Sequence, residues 1–270
     1  MEKGCFKDKV CLVTGAGSGF GYAFSERMLA DGATVYLSSL LARELEAKKK
    51  LLSSFEGRAH FCALDVRKEE EVASWISQAL ENEGRIDYLV NSAGIHASGF
   101  TLKLSLDTWR DVIDTNLFGV VNTMVHTAPI MIGQRSGHII NMSSISGLIP
   151  IPYETAYCAS KHAVTAVGEC LRYELARHNV KVTTICPTIV KTEMFEKAKF
   201  IPADDAITLE HAMDWIFEHL NETGGIMTVA EDAENFFDIY RRNESLADEI
   251  ITQMESDRHK YALVRDGEQK

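Results

Sequence analysis

The 270-residue chain carries 28 Lys and Arg against 39 Asp and Glu, a formal charge of −11. That acid excess argues against nucleic acid or an anionic membrane surface as a partner, because both select basic patches. With 46% hydrophobic and 25% charged residues, the composition is globular, and the length suits one large domain or two small ones. The six cysteines (5, 11, 62, 158, 170, 186) show no CxxC and no regular spacing. They read as free thiols in a reducing compartment, with no metal site. With no 18-residue apolar run and no N-terminal signal sequence, the expected location is cytoplasmic, with no membrane association.

Lys9–Val13 is a short apolar run ending on Thr14-Gly15-Ala16-Gly17-Ser18-Gly19-Phe20-Gly21. A helical pattern (Tyr22, Phe24, Met28, Leu29) follows and stops at Asp31-Gly32, before a second strand at 33–38. In such a β–Gly-loop–α–β unit, glycines let the backbone approach a pyrophosphate and the helix N-terminus receives its charge. The alternation continues. Helix 41–52 leads to strand 58–63, and helix Glu69–Glu83 to strand 86–90. Ser105 opens a long helix running through Asn116 to about Ile130. Strand His138–Met142, a helix holding Tyr157 and Lys161, and strand 180–186 complete the rhythm. Apolar strands alternating with helices specify an α/β fold, a parallel sheet covered on both faces, in one domain spanning 1–270. Ligands of such sheets bind beyond the carboxyl ends of the strands, where the Gly loop, Asp65, Asn91, Ser143-Ser144 and Pro187 converge.

Past Pro187 the rhythm loosens. Residues 192–207 read as a substrate lid or merely a loop, 209–220 as an amphipathic helix, and Ile226–Val229 as the last strand. Residues 231–270 read as a charged helical extension.

Tyr157 and Lys161 are four residues apart and share a helix face with Val164, Gly168, Leu171 and Leu175. A phenol and an ammonium thus head a stripe that should be buried. Either the lysine snorkels past a core tyrosine, or the pair does chemistry. The reverse face carries Ala159, Ala163, Ala166 and Cys170, small residues suited to packing against another helix, such as one from a second subunit.

Together these features resemble the short-chain dehydrogenases/reductases, in their shorter single-domain branch. The resemblance rests on TGxxxGxG at 14–21, Asp65-Val66, Asn91-Ser92-Ala93-Gly94, Asn116, Ser144 thirteen residues before Tyr157, and YxxxK at 157–161. Pro187 with Thr192 resembles the loop that closes over the nicotinamide. The match runs in family order from about residue 6 to 192.

The resemblance implies a doubly wound, three-layer Rossmann fold and hydride transfer between NAD(P)(H) and a carbonyl or secondary alcohol. It makes Tyr157 the acid/base, Lys161 the cation that lowers its pKa, and Ser144 the donor to the reacting oxygen, with Ser143 the second choice. Asn116 would distort its helix and support a water relay behind Lys161. The implied dinucleotide contacts are Gly15, Gly17, Ser18, Gly19, Phe20, Gly21, Ser39, Asp65, Val66, Asn91, Ala93, Gly94, Tyr157, Lys161, Pro187, Val190 and Thr192. A homodimer or homotetramer is implied too, and no metal.

Ser92, Cys186 and Thr188 depart from the family pattern. The second strand ends on Ser39, where NAD-users place an acid for the ribose 2′-OH. The absence of an acid there tips the expectation toward NADP, with Arg43 the nearest base. The expected substrate wall is apolar: Ile95, His96, Phe100, Ile145, Leu148, Ile149, Ile151, Tyr153, Met194, Phe195 and Phe200. It suits a medium-to-large carbonyl or alcohol, although loop packing would explain several of these residues equally well, and His96 is equally a surface histidine. The alternative is a catalytically quiet dinucleotide-binding regulator or scaffold, against which the intact Ser144, Tyr157 and Lys161 speak.

Overall fold

The computed structural model describes residues 4–194, 206–221, 224–229 and 231–267. Seven short strands form its central sheet: β1 (Val10–Thr14), β2 (Thr34–Ser39), β3 (Ala59–Ala63), β4 (Tyr88–Asn91), β5 (Gly137–Met142), β6 (Val180–Pro187) and β9 (Gly225–Val229). The two-residue strands β7 (Val190–Lys191) and β8 (Ile207–Thr208) pair separately. The sheet order is β3-β2-β1-β4-β5-β6-β9, and every pairing is parallel.

All five β1 residues are buried, so that strand has no solvent face. Cys11 and Val13 join one core, with Phe24, Met28 and Leu29 of α1 (Gly19–Ala30). Val10 and Leu12 join a second core on the other face, with Trp75 and Ile76 of α3 (Glu69–Glu83). Two cores on one sheet make three layers, the doubly wound α/β architecture. β1 neighbours both β2 and β4, so the winding direction reverses there and opens a crevice between their carboxyl ends. α2 (Ala42–Leu51) borders that crevice beyond β2.

The long helix expected through Asn116 is divided. α4 (Leu106–Ile113) and α5 (Gly119–Gln134) flank a π-helical turn at Asp114–Phe118. α6 (Thr155–Ala176) buries Val164, Gly168 and Leu175, the stripe read from periodicity. Ala159, Ala166 and Cys170 on its reverse face are exposed in the single chain. All six cysteines are free thiols.

α7 (Leu209–His219) adds Met213 and Ile216 to the first core. α8 (Glu231–Arg242) and α9 (Glu244–Gly267) end the chain. Phe237 and Tyr240 of α8 pack on a third apolar cluster of Ile145, Ile149, Ile151 and Cys158. Among the described residues, no helix is long and apolar enough to cross a membrane.

Gly168 is where α6 presses onto β6: a Cβ there would lie 2.0 Å from Thr184 Oγ1. Gly168→Ala should therefore overpack this contact and destabilise the fold by ~1–3 kcal/mol. An unchanged urea midpoint would refute the packing.

Candidate active site

The Gly loop begins at Gly15, whose φ of +65° suits glycine, and a Cβ there would lie 2.7 Å from Ala93 N. The ends of β1 and β4 can approach only because that Cβ is missing. Gly19 (φ +52°) opens α1, and a Cβ on it would meet nothing nearer than Thr192 Cβ at 4.0 Å. Ser18, the N-cap, makes no side-chain capping bond, and the first turn of α1 holds no acid. Its first amides thus have no competing protein anion, which suits a phosphate.

A cavity of about 380 Å³ runs from this loop across the carboxyl ends of the strands. Gly15, Ser18, Gly19, Phe20, Ser39, Asp65, Val66, Ala93 and Gly94 line one part of it. Ser144, Tyr157, Lys161, Pro187, Val190 and Thr192 line the other. Ser92 and Thr188, two of the family departures, face it as well.

Gly17, Gly21, Asn91 and Asn116 do not line the cavity. A Cβ on Gly21 would lie 2.4 Å from Gly15 O, so its role is close approach of α1 to the loop. Asn91 is a buried strut: Nδ2 donates to Asn141 Oδ1 at 2.9 Å, and Oδ1 accepts from Thr123 Oγ1 at 2.6 Å. Asp65 reaches the wall, but Arg67 grips its carboxylate, with Nη2 donating at 2.8 Å. That side-chain bond outweighs burial and holds the Asp65 carboxyl below its usual range.

Asn116 explains the π turn. Its Oδ1 accepts from Ile95 N at 2.8 Å, while Nδ2 donates to Ile95 O at 2.9 Å and Ser160 Oγ at 3.0 Å. The amide thereby ties the loop after β4 to α6.

Lys161 is buried, with its Nζ donating to Met142 O at 2.8 Å. Burial pulls its pKa down to about 8. Burial pushes the Tyr157 phenol well above its ordinary range, the Glu154 charge adds to that, and a hydrogen bond with Ser144 opposes it. The ammonium turns to Met142 O and lies 5.5 Å from the Tyr157 ring centroid, and burial with the Glu154 charge dominates the phenol here. Ser143 Oγ donates to Lys161 O at 3.0 Å and meets Thr165 Oγ1 at 2.8 Å, a structural placement. Ser144, which lines the cavity, is the serine that lowers the Tyr157 phenol pKa.

Of the expected substrate wall, Ile95 and Met194 line the cavity. Ile145, Leu148, Ile149 and Ile151 belong instead to the cluster beneath α8. Tyr153, read as pocket wall, pairs its Oη with His259 Nδ1 at 2.6 Å. Phe100 is half exposed beside Tyr153, with ring centroids 6.2 Å apart. The surface reading of His96 is overturned: its side chain is 2% exposed, against the Tyr157 ring. Phe195, Phe200 and most of the expected lid (195–205) lie outside the described residues.

Sequence reasoning passed over three charged residues. Glu44 lines the cavity beside Ser39, with Oε2 accepting from Ser39 Oγ at 3.0 Å. Its signal was an acid in the first turn of the helix after β2. Glu154 and Arg258 pair at 2.6 Å, 104 residues apart, and nothing in their spacing foretold it. Among the described residues, no cluster of His, Cys, Asp or Glu could hold a metal ion.

A family model described as short chain dehydrogenase matches residues 9–200, and the chain belongs to that family. A 3-oxoacyl-acyl-carrier-protein reductase of Thermotoga maritima is 35% identical over 189 residues, covering 70% of this chain and 77% of that protein. A Burkholderia phymatum short-chain dehydrogenase/reductase in complex with NAD superposes with a TM-score of 0.81 at 27% identity, covering 92% of this chain and 97% of that one. ElxO with NADP bound superposes at 0.74 with 28% identity, covering 82% and 96%.

Because the Asn116 side chain is buried and makes three hydrogen bonds, Asn116→Ala should destabilise the fold by ~2–4 kcal/mol. Thermal denaturation reads it, and a shift no larger than that of an exposed substitution would count against the strut.

Proposed function

We propose that the protein is a nicotinamide-dependent oxidoreductase that interconverts a carbonyl and a secondary alcohol, with Tyr157 as the acid/base. The carrying observation is that the Tyr157, Ser144 and Lys161 side chains share one cavity with an uncapped helix N-terminus. The dinucleotide fits the residues present. Gly19 leaves open space at the head of α1, Ser39 lies where the adenine ribose belongs, and Pro187, Val190 and Thr192 lie on the nicotinamide side. When bound, it supplies or accepts the hydride.

Ser144 Oγ acts on the Tyr157 phenol from the end of β5 and lines the same cavity, placed to donate to the carbonyl oxygen. Tyr157 Oη, held as the neutral phenol by burial, is the acid a reduction needs. It passes its proton to the substrate oxygen, and the Lys161 charge nearby stabilises the phenolate left behind. Oxidation runs the same transfers in reverse. Ile95, Met142 and Met194 offer the substrate an apolar surface in this cavity.

Tyr157→Phe should lower turnover of a ketone or alcohol panel by about 10²–10⁴-fold, followed at the reduced-nicotinamide absorbance band. Retained turnover would sink the mechanism. Dinucleotide binding without turnover in the wild type would favour the quiet regulator.

The cofactor choice turns on Glu44. The expectation of NADP rested on the lack of an acid at the end of β2, yet Glu44 brings one from α2. Its Oε2 lies 3.0 Å from Ser39 Oγ, and a Cβ on Gly17 would sit 2.5 Å from that same oxygen. A carboxylate there accepts from a ribose 2′-OH and repels a 2′-phosphate. Arg43 is exposed and absent from the cavity wall. These contacts support NAD over NADP. Glu44→Gln should tighten NADP by about tenfold, or ~1.4 kcal/mol, in a binding titration. A wild type that already prefers NADP would refute the role given to Glu44.

A further inference from the structure

Residues 231–267 double back over the loop that leads into α6. Phe237 and Tyr240 cover its isoleucines, and two polar contacts from α9 reach the residues preceding Tyr157. Arg258 Nη1 donates to Glu154 Oε1 at 2.6 Å, and His259 Nδ1 lies 2.6 Å from Tyr153 Oη.

Glu154 is 4% exposed. Its Oε2 accepts from Ser146 Oγ at 3.2 Å, and its Oε1 also lies 3.3 Å from His96 Nε2. Its carbonyl accepts from Cys158 N at 2.7 Å, so it opens α6 three residues before Tyr157. The His96 ring meets the Tyr157 ring at 4.7 Å between centroids and 62°. A contact chain therefore runs from Arg258 through Glu154 and His96 to the phenol ring. Burying a carboxylate is costly unless it is paired, and α9 supplies the guanidinium. Tyr153, the residue before Glu154, has a φ of +65°, a strained conformation that persists only where the surroundings enforce it.

We propose that Arg258 and Glu154 are positioning residues, and that α9 is a strap holding Glu154 and His96 against Tyr157. The C-terminal helices then complete an active site that the dinucleotide-binding core builds only in part. The inference rests on the reading of Tyr157 as the acid/base.

A merely structural latch would change stability, whereas charge positioning also changes the pH profile. Glu154, Cys158 and Lys161 face Tyr157 from its own helix, Ser144 from the end of β5, His96 from the loop after β4, and Cys186 from β6. Arg258 acts on it through Glu154. The Glu154 charge disfavours the phenolate, and Arg258 offsets that charge. His96 also holds Glu154 ionised, so losing the guanidinium leaves the carboxylate charge unopposed and makes Tyr157 harder to deprotonate, whereas losing the carboxylate charge makes it easier.

In Arg258→Gln, kcat for alcohol oxidation at neutral pH should fall by about 10–100-fold, and its rising limb should move up by about half to one pH unit. Dinucleotide affinity should stay within about twofold, because Arg258 lies outside the dinucleotide site. Glu154→Gln should move the limb down, and Arg258→Lys should restore it. Unmoved limbs in both variants overturn the strap but leave the function intact if Tyr157→Phe still abolishes turnover. If the wild type turns over nothing, the functional reading falls and hydrogen exchange decides the strap. Arg258→Gln must then speed exchange at the Ile151 and Cys158 amides relative to β5, and equal rates overturn it.

Discussion

Burial of the Lys161 ammonium organises the carboxyl edge of the sheet. An isolated ammonium taken out of water is prohibitively expensive, and one carbonyl, Met142 O, offsets only part of that cost. The depressed pKa, near 8, records the remainder. Neighbours fix the turn of α6 that carries it. Ser143 Oγ and Thr165 Oγ1 both donate to Lys161 O, and a Cβ on Gly147 would collide with Ser143 Oγ. A desolvated cation so held gains most from a negative charge arriving beside it, which is what the phenolate in the proposed reaction supplies.

The same edge shows how the two halves of the site are coupled. Asn116 bonds both main-chain groups of Ile95 and reaches Ser160 on α6. The π turn is the geometric cost of turning that amide inward. From the other side, α8 and α9 close on the β5–α6 loop through apolar packing and the Arg258–Glu154 pair. Tyr157 thus sits between a brace built by the π turn at Asn116 and one built by the C-terminal helices.

The strands and most helix limits could be read directly because their signals are local. A run such as Val10–Thr14 has no polar face to show water, and α3 opens on the acids Glu69–Glu71 and ends on Gly84 in the left-handed conformation. The isoleucines at 145, 149 and 151 were open to two readings for a physical reason. Apolar loop residues carry no periodicity, so nothing local says whether a substrate or another part of the chain covers them. His96 was ambiguous in the same way. Glu44 was not legible because the acid proposed to bind the ribose sits not at the strand end but five residues on, on a side chain that curls back to Ser39.

By itself the sequence determined the alternation, and with it a parallel sheet whose carboxyl edge gathers the Gly loop, Ser144, Tyr157 and Lys161. Hydrophobic periodicity and glycine placement act over a few residues and need no knowledge of the rest of the chain. Tertiary structure alone decided which way the Lys161 ammonium points, where Glu44 reaches, and that Arg258 meets Glu154 across 104 residues. Those outcomes depend on which charges lose their water together, and that is settled only when distant segments pack.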